Sequence, residues 1–191
     1  HCEEEPVFSK GESGCWDGAG LYSTWVFPRD GKYVMYYNGK DSARWPWHEQ
    51  VGMAFSDDFY NWNRYKDNPV LKVTPDHWDS HFSCGQHVLY DSREKRWVMF
   101  YCGFDCKHAQ EGVAISSDML SWEKYEQPII EYGRSGEIDS IHAHKPCVIY
   151  HDGALWHFYC AVRPTLTDEE KEKFGNEFRC LTVARSKPFD K

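Results

Sequence analysis

Residues 137–146 read EIDSIHAHKP and place Glu137, Asp139, His142, His144 and Lys145 within one short stretch. Two carboxyl groups sharing a pocket can divide acid and base work, one giving a proton while the other activates water or attacks carbon. A His-x-His step on a strand puts both rings on one face, where they could hold a substrate or an ion. A second group, Cys102, Cys106 and His108, has C-x-x-x-C-x-H spacing and offers sulfur and nitrogen to zinc, with no fourth ligand evident.

What must position these residues is a chain of 191 residues with 30 acidic and 22 basic side chains, a net charge of −8 and 17% aromatic residues. That length supports one domain with a real core, and the aromatic content is not that of a disordered chain. No basic stripe suits a nucleic acid, and no apolar run is long enough to span a membrane. The reading is a soluble protein, cytoplasmic or secreted with a processed signal. Since it begins at His1, the chain reads as a processed product or a fragment. Its eight cysteines read as buried thiols acting as small hydrophobes, not as a disulfide framework.

The elements emerge when three stretches are superposed: 15–40, 77–104 and 137–162. Each carries an Asp followed nine residues later by a valine: Asp17 and Val26, Asp79 and Val88, Asp139 and Val148. A turn and an aromatic strand follow in each. The Asp-to-Asp intervals are 62 and 60 residues. A second pattern marks the latter half of each unit, with Ala54-x-Ser56, Ala114-x-Ser116 and Ala184-x-Ser186 at matching points. Short strands between Asp, Gly, Asn and Pro turns, four to a unit of about 60 residues, predict an all-β chain of propeller blades. The units run over about 6–71, 72–130 and 131–191, in a single propeller domain or a fragment of one. Thr167 and Glu170 form a capping box that predicts one short surface helix over 167–174. Three units cannot close a ring, and the third ends before its outer strand. The rest of a longer chain or another subunit should supply the missing blades.

In such a blade the first strand is innermost. The stretch before it and the loop between the second and third strands emerge on one face. That places Asp17, Asp79, Glu137 and Asp139 near a channel mouth, with Trp16, Trp45, Trp47, Trp78, His81, His108 and Arg163 around it. His142, His144 and Lys145 would lie on the inner strand. Aromatic faces stack on sugar C–H surfaces and charged groups bond hydroxyls, so an oligo- or polysaccharide is the expected partner. Asp139 recurs as Asp17 and Asp79 and could simply cap a turn. Glu137, His142, His144 and Lys145 have no counterpart in the other units.

The pattern W-D-x(8)-V-[IL], turn, aromatic strand, then G-x-A-x-S-x-D-x-x-x-W resembles the five-bladed β-propeller glycosidases and glycoside phosphorylases, such as glycoside hydrolase families 43, 32, 117 and 130. The resemblance covers 16–189 and identifies a blade more than a substrate. It implies a glycoside hydrolase acting on a plant- or algal-type glycan. Asp17 or Asp79 would be base or modulator, Glu137 the acid, and His142 and His144 groups for substrate or an ion. It implies no required cofactor, although relatives can hold a channel calcium ion. The hydrolases' usual Asp-Pro step is replaced here by Ser23-Thr24, Gly85-Gln86 and Lys145-Pro146. That departure keeps a non-catalytic glycan-binding propeller and a glycoside phosphorylase as alternatives, with a structural scaffold third.

Overall fold

The computed structural model describes residues 5–186. Eleven strands and one helix follow in the order β1 (Gly20–Arg29), β2 (Lys32–Lys40), β3 (Glu49–Ser56), β4 (Trp62–Arg64), β5 (Phe82–Asp91), β6 (Arg96–Phe104), β7 (Ala109–Ser116), β8 (Glu123–Lys124), β9 (His142–His151), β10 (Ala154–Pro164), α1 (Asp168–Phe174) and β11 (Glu177–Arg185). Antiparallel pairing groups β1–β4, β5–β8 and β9–β11 into three blades. A parallel bridge from Glu49 to Phe82 joins the first two blades.

Local sequence explains the turns. Asp30-Gly31 and Asp152-Gly153 close two-residue hairpins with φ of 50° and 77°, and 50° and 71°, the left-handed geometry that matches strand twist. The recurring Ser-x-Asp-x-x-x-Trp is also a turn. Ser56 Oγ accepts from the N–H groups of Asp58 and Phe59, and Asp58 from those of Tyr60 and Asn61. Ser116 and Asp118 repeat all four bonds. Trp62 and Trp122 close the motif by donating Nε1–H to the carbonyls of Phe59 and Met119. Thr167 caps α1 by accepting from Glu170 N at 3.1 Å, as the capping box predicts.

Each inner strand bulges at the same place, between Tyr22 and Thr24, Cys84 and His87, and His144 and Cys147. Ser23, Gly85 and Lys145 occupy the bulges with φ of 43°, 63° and 65°. These are the positions where an Asp-Pro step is absent. A bulge bends its strand and re-aims side chains, which suits strands that curve around a channel.

The blades stack face to face into an open arc in which β1 and β9 do not meet. Tyr36, Val51 and Met53 of blade one are fully buried against Val88, Trp97 and Met99 of blade two. Phe100 and Val113 of blade two pack on Val148 of blade three. The equivalent face of blade three is bare: Phe158 is 41% exposed and Leu181 82%. No helix among the described residues is long and apolar enough to cross a membrane.

Candidate functional site

The inner strands β1, β5 and β9 surround a cavity of about 750 Å³. The bulge residues Ser23, Gly85 and Lys145 all reach its wall, as do His142 and His144. Burial and the neighbouring His144 push the His142 imidazole down to about 4, so it is neutral near pH 7. Its Nδ1 accepts from the backbone N–H of Ala109 at 3.0 Å, which fixes the ring.

Two charged groups in this wall lie on third strands. Glu49 Oε2 accepts from Asn38 Nδ2 at 2.8 Å, and Oε1 from Trp47 Nε1 at 3.0 Å. Arg179 stands at the same register position in blade three, where blade two has Ala109. Its Nη1 lies 3.4 Å from His144 Nε2, and its other guanidinium nitrogen pairs with Glu177. Blade one thus presents an anion to the cavity, and blade three presents Lys145 and Arg179. Glu49 and Arg179 depart from the repeat as Glu137 does, with Ala109 at their position in blade two, and that departure is their sign in the sequence.

An aromatic ledge leads into the cavity. Trp45 meets Trp47 edge-on at 4.8 Å and stacks on His81 at 5.7 Å, while Trp47 stacks on Phe82 at 6.3 Å. Phe82 continues to Phe104 at 5.0 Å, and Phe104 to His142 at 6.1 Å. The structure therefore brings together Trp45, Trp47, His81, His142, His144 and Lys145. His108 lies beside this group, stacked on Tyr132 at 3.7 Å with Nδ1 2.9 Å from the carbonyl of Ile141.

The remaining expected site residues lie elsewhere, for physical reasons that recur from blade to blade. Asp17 is buried and accepts from Tyr37 Oη at 3.2 Å and Arg64 Nε at 2.9 Å. Asp79 is buried and accepts from Tyr101 Oη, Ser83 Oγ and Lys124 Nζ. Asp139 accepts from Tyr159 Oη at 2.8 Å. Each Asp thus ties its own loop to the second strand of its blade. Trp16 and Trp78 pack into gaps that only glycine leaves: a Cβ on Gly39 or Gly52 would lie 2.4 or 2.5 Å from Trp16, and one on Gly103 or Gly112 2.0 or 2.5 Å from Trp78. In blade three the Trp becomes Ile138, and the two glycines become Ala161 and Thr182. Glu137 is exposed and closes a turn by accepting from Arg134 N at 2.7 Å. Arg163 makes a two-pronged bond to Glu170, at 3.0 and 2.8 Å, and anchors α1. None of these residues lines the cavity.

Cys102 is buried and Cys106 exposed, and no three His, Cys, Asp or Glu side chains among the described residues converge for a metal ion. Oxygen groups also reach the cavity wall, on Tyr22, Ser23, Thr24, Asn38, Glu49 and Gln86, and both Glu49 oxygens already accept hydrogen bonds. Seven cysteines in the described region are free thiols, and Cys2 lies outside it.

One further carboxyl escaped the sequence reading. Glu111, between blades two and three, is fully buried, and neither of its oxygens has a hydrogen-bond partner. Burial raises its pKa well above the usual carboxylate range. His157 Nε2 lies 3.8 Å away, and burial holds that imidazole down at about 4.

Blades arranged around an aromatic-edged, sugar-sized cavity with a fixed carboxylate define a β-propeller of the glycosidase class. The chain belongs to the glycosyl hydrolases family 32 N-terminal domain family, whose profile matches residues 4–169. Among solved structures it is similar to the BT0996 RGII complex (TM-score 0.75, 28% identity, 97% of this chain and 52% of that one). A glycoside hydrolase matches comparably (TM-score 0.74, 26% identity, 98% and 52%). A Bombyx mori GH32 β-fructofuranosidase shares the fold (TM-score 0.64, 18% identity, 85% and 33%). The chain spans about half the length of the first two. Comparison with curated proteins gives no match.

Proposed function

We propose that the chain forms three blades of a glycoside hydrolase, with the central cavity as its sugar site. The observation that carries this reading is Glu49, a carboxylate in the cavity wall fixed by Asn38 and Trp47 beside an aromatic ledge. A carboxylate so held is oriented for a base or nucleophile role, and Trp45 and Trp47 offer faces to a sugar ring. His142, His144, Lys145 and Arg179 bind hydroxyl or acidic groups of the glycan. Further blades, from the rest of a longer chain or another subunit, cover the bare face of blade three and bring the second carboxyl group. The family and the hydrolase neighbours support the reaction class, and the RGII complex supports a plant-type glycan as substrate.

A single carboxylate in the wall also favours a second reading, a propeller that binds glycan without cleaving it. Turnover of aryl glycosides and binding of plant-wall oligosaccharides separate the two. Glu49→Gln should lower kcat by about 100-fold or more and leave binding within a few-fold. Binding without turnover by a protein that includes the further blades selects the second reading. Full turnover by Glu49→Gln overturns the assignment, and loss confined to Glu111→Gln moves the chemistry to the blade interface.

A further inference from the structure

The cavity holds a feature that sugar binding does not use. Cys84 on β5 and Cys102 on β6 are direct cross-strand partners, the last regular pair before the bulge at Gly85. Directly opposed residues of an antiparallel pair have Cα atoms about 4.5–5.5 Å apart, inside the roughly 4.4–6.8 Å window that a disulfide spans. Both thiols are free and line the cavity. Neither counterpart pair in the other blades could do this: Tyr22 faces Asn38 in blade one, and His144 faces Cys160 in blade three.

We propose that Cys84 and Cys102 form a reversible dithiol–disulfide site in the cavity wall, oxidised by low-molecular-weight disulfides that enter the cavity. Cys102 is the attacking thiol. The neighbouring Cys84 thiol, and after it the His144 imidazole, lower its pKa, whereas that of Cys84 is raised. In the first step Cys102 Sγ, as thiolate, attacks one sulfur of RS–SR. A Cys102–SR bond forms, the RS–SR bond breaks, and RS⁻ leaves and takes up a proton. In the second step Cys84 loses its proton and attacks the Cys102 sulfur, expelling the other RS⁻. Two protein thiols are oxidised by two electrons, and the disulfide is reduced to two RSH. The new bond ties the inner strand of blade two to its neighbour at the bulge that shapes the cavity. Reduced thiols reverse it.

The test is incubation with oxidised glutathione followed by alkylation and peptide mapping. It is done in a Cys106→Ser background, because Cys106 shares a tryptic peptide with Cys102. The expected result is a peptide containing Cys84 linked to one containing Cys102, lost on reduction, with both thiols protected from alkylation. With Cys84→Ser added, a glutathione adduct should persist on Cys102. Alkylation of both thiols after oxidant, or a stable adduct on Cys102 while Cys84 is present, overturns the proposal. Circular dichroism of each variant reports whether it has folded, and the Cys106→Ser result alone decides the pairing if Cys84→Ser does not fold.

Discussion

The two blade interfaces occupy equivalent positions in the repeat, yet they are built from different chemistry. Between blades one and two the contact is apolar: Val51, Met53 and Leu71 meet Val88 and Met99, and the buried Tyr36 hydroxyl donates to the carbonyl of Met119 at 2.8 Å. Between blades two and three the same layer contains Glu111, His87 and His157, all buried, beside the Cys84 and Cys102 thiols. The contrast reduces to one register row, in which Val51, Glu111 and Leu181 are equivalent. Val51 and Glu111 are fully buried, and Leu181 is 82% exposed. Strand geometry requires only that this position face the next blade. Whether it holds a hydrocarbon, a carboxyl group or an uncovered leucine depends on what lies opposite. The first interface is built for stability. The second carries titratable groups whose burial costs stability and which the repeat does not require.

The comparison is tested most severely at Val51. Val51→Asp puts a carboxyl among buried apolar side chains, opposite an Asn38 amide already engaged by Glu49, and burying a poorly paired charge costs several kcal/mol. The loss should exceed about 4 kcal/mol, read as the fall in urea midpoint or as failure to fold. A loss below about 1 kcal/mol would show that the first interface is not the dry one.

Much of this layout could be read in the sequence, because the repeat restates it. The turns were legible as Asp-Gly and Ser-x-Asp-x-x-x-Trp, whose side chains bond their own backbone wherever they occur. The blade order followed from the Asp-to-Val interval. Residue roles were harder to read because they depend on the direction a loop faces. Asp17, Asp79 and Asp139 looked poised for a channel, but each bonds the tyrosine of its own second strand. The sign was present in the parallel recurrence of Tyr37, Tyr101 and Tyr159, with Arg64 and Lys124 at matching places on the fourth strands. The exchange of Trp, Gly and Gly for Ile, Ala and Thr in blade three marked the same packing. Glu49, Glu111 and Arg179 also break the repeat, but on third strands, whose side chains reach the cavity and the blade interface only once the blades are stacked. The parallel pairing of β3 with the inner strand β5 of the next blade, which sets Glu49 beside the cavity, is a tertiary property that no local pattern encodes.

A middle-sized effect should separate the second interface from the first. Glu111→Val restores the residue type of blade one and removes a carboxyl without partners, so it should stabilise the protein by about 1–3 kcal/mol near neutral pH. The gain depends on pH in a defined sense. The folded pKa of Glu111 lies above its unfolded value of about 4.3, so the stability tied to its neutral form is complete below that pH and is lost as pH rises. The advantage of Glu111→Val should therefore grow from pH 5 to pH 8. His157 acts in the opposite direction. Its folded pKa of about 4 lies below the unfolded value of about 6.5, so its contribution is present above pH 6.5 and is lost as pH falls towards 4. His157→Phe should flatten the acid limb while leaving the alkaline one. Tm measured against pH for both variants checks this, and parallel profiles for all three proteins would remove the titratable interface from the account.

The smallest effect belongs to Leu181, where it is informative because it is small. Leu181→Asp alters a surface side chain in this 191-residue chain and should change stability by less than about 0.5 kcal/mol. At the equivalent position in blade one the same aspartate should be ruinous. The difference in cost measures the cover that the neighbouring blade provides. In a protein where a further blade packs against Phe158 and Leu181, the substitution should instead cost several kcal/mol, approaching Val51→Asp. Chemical denaturation of Leu181→Asp in the 191-residue chain and in a protein that continues into further blades provides the measurement. Equal small losses in both would mean that no blade covers this face, and the cavity would then be bounded by three blades alone.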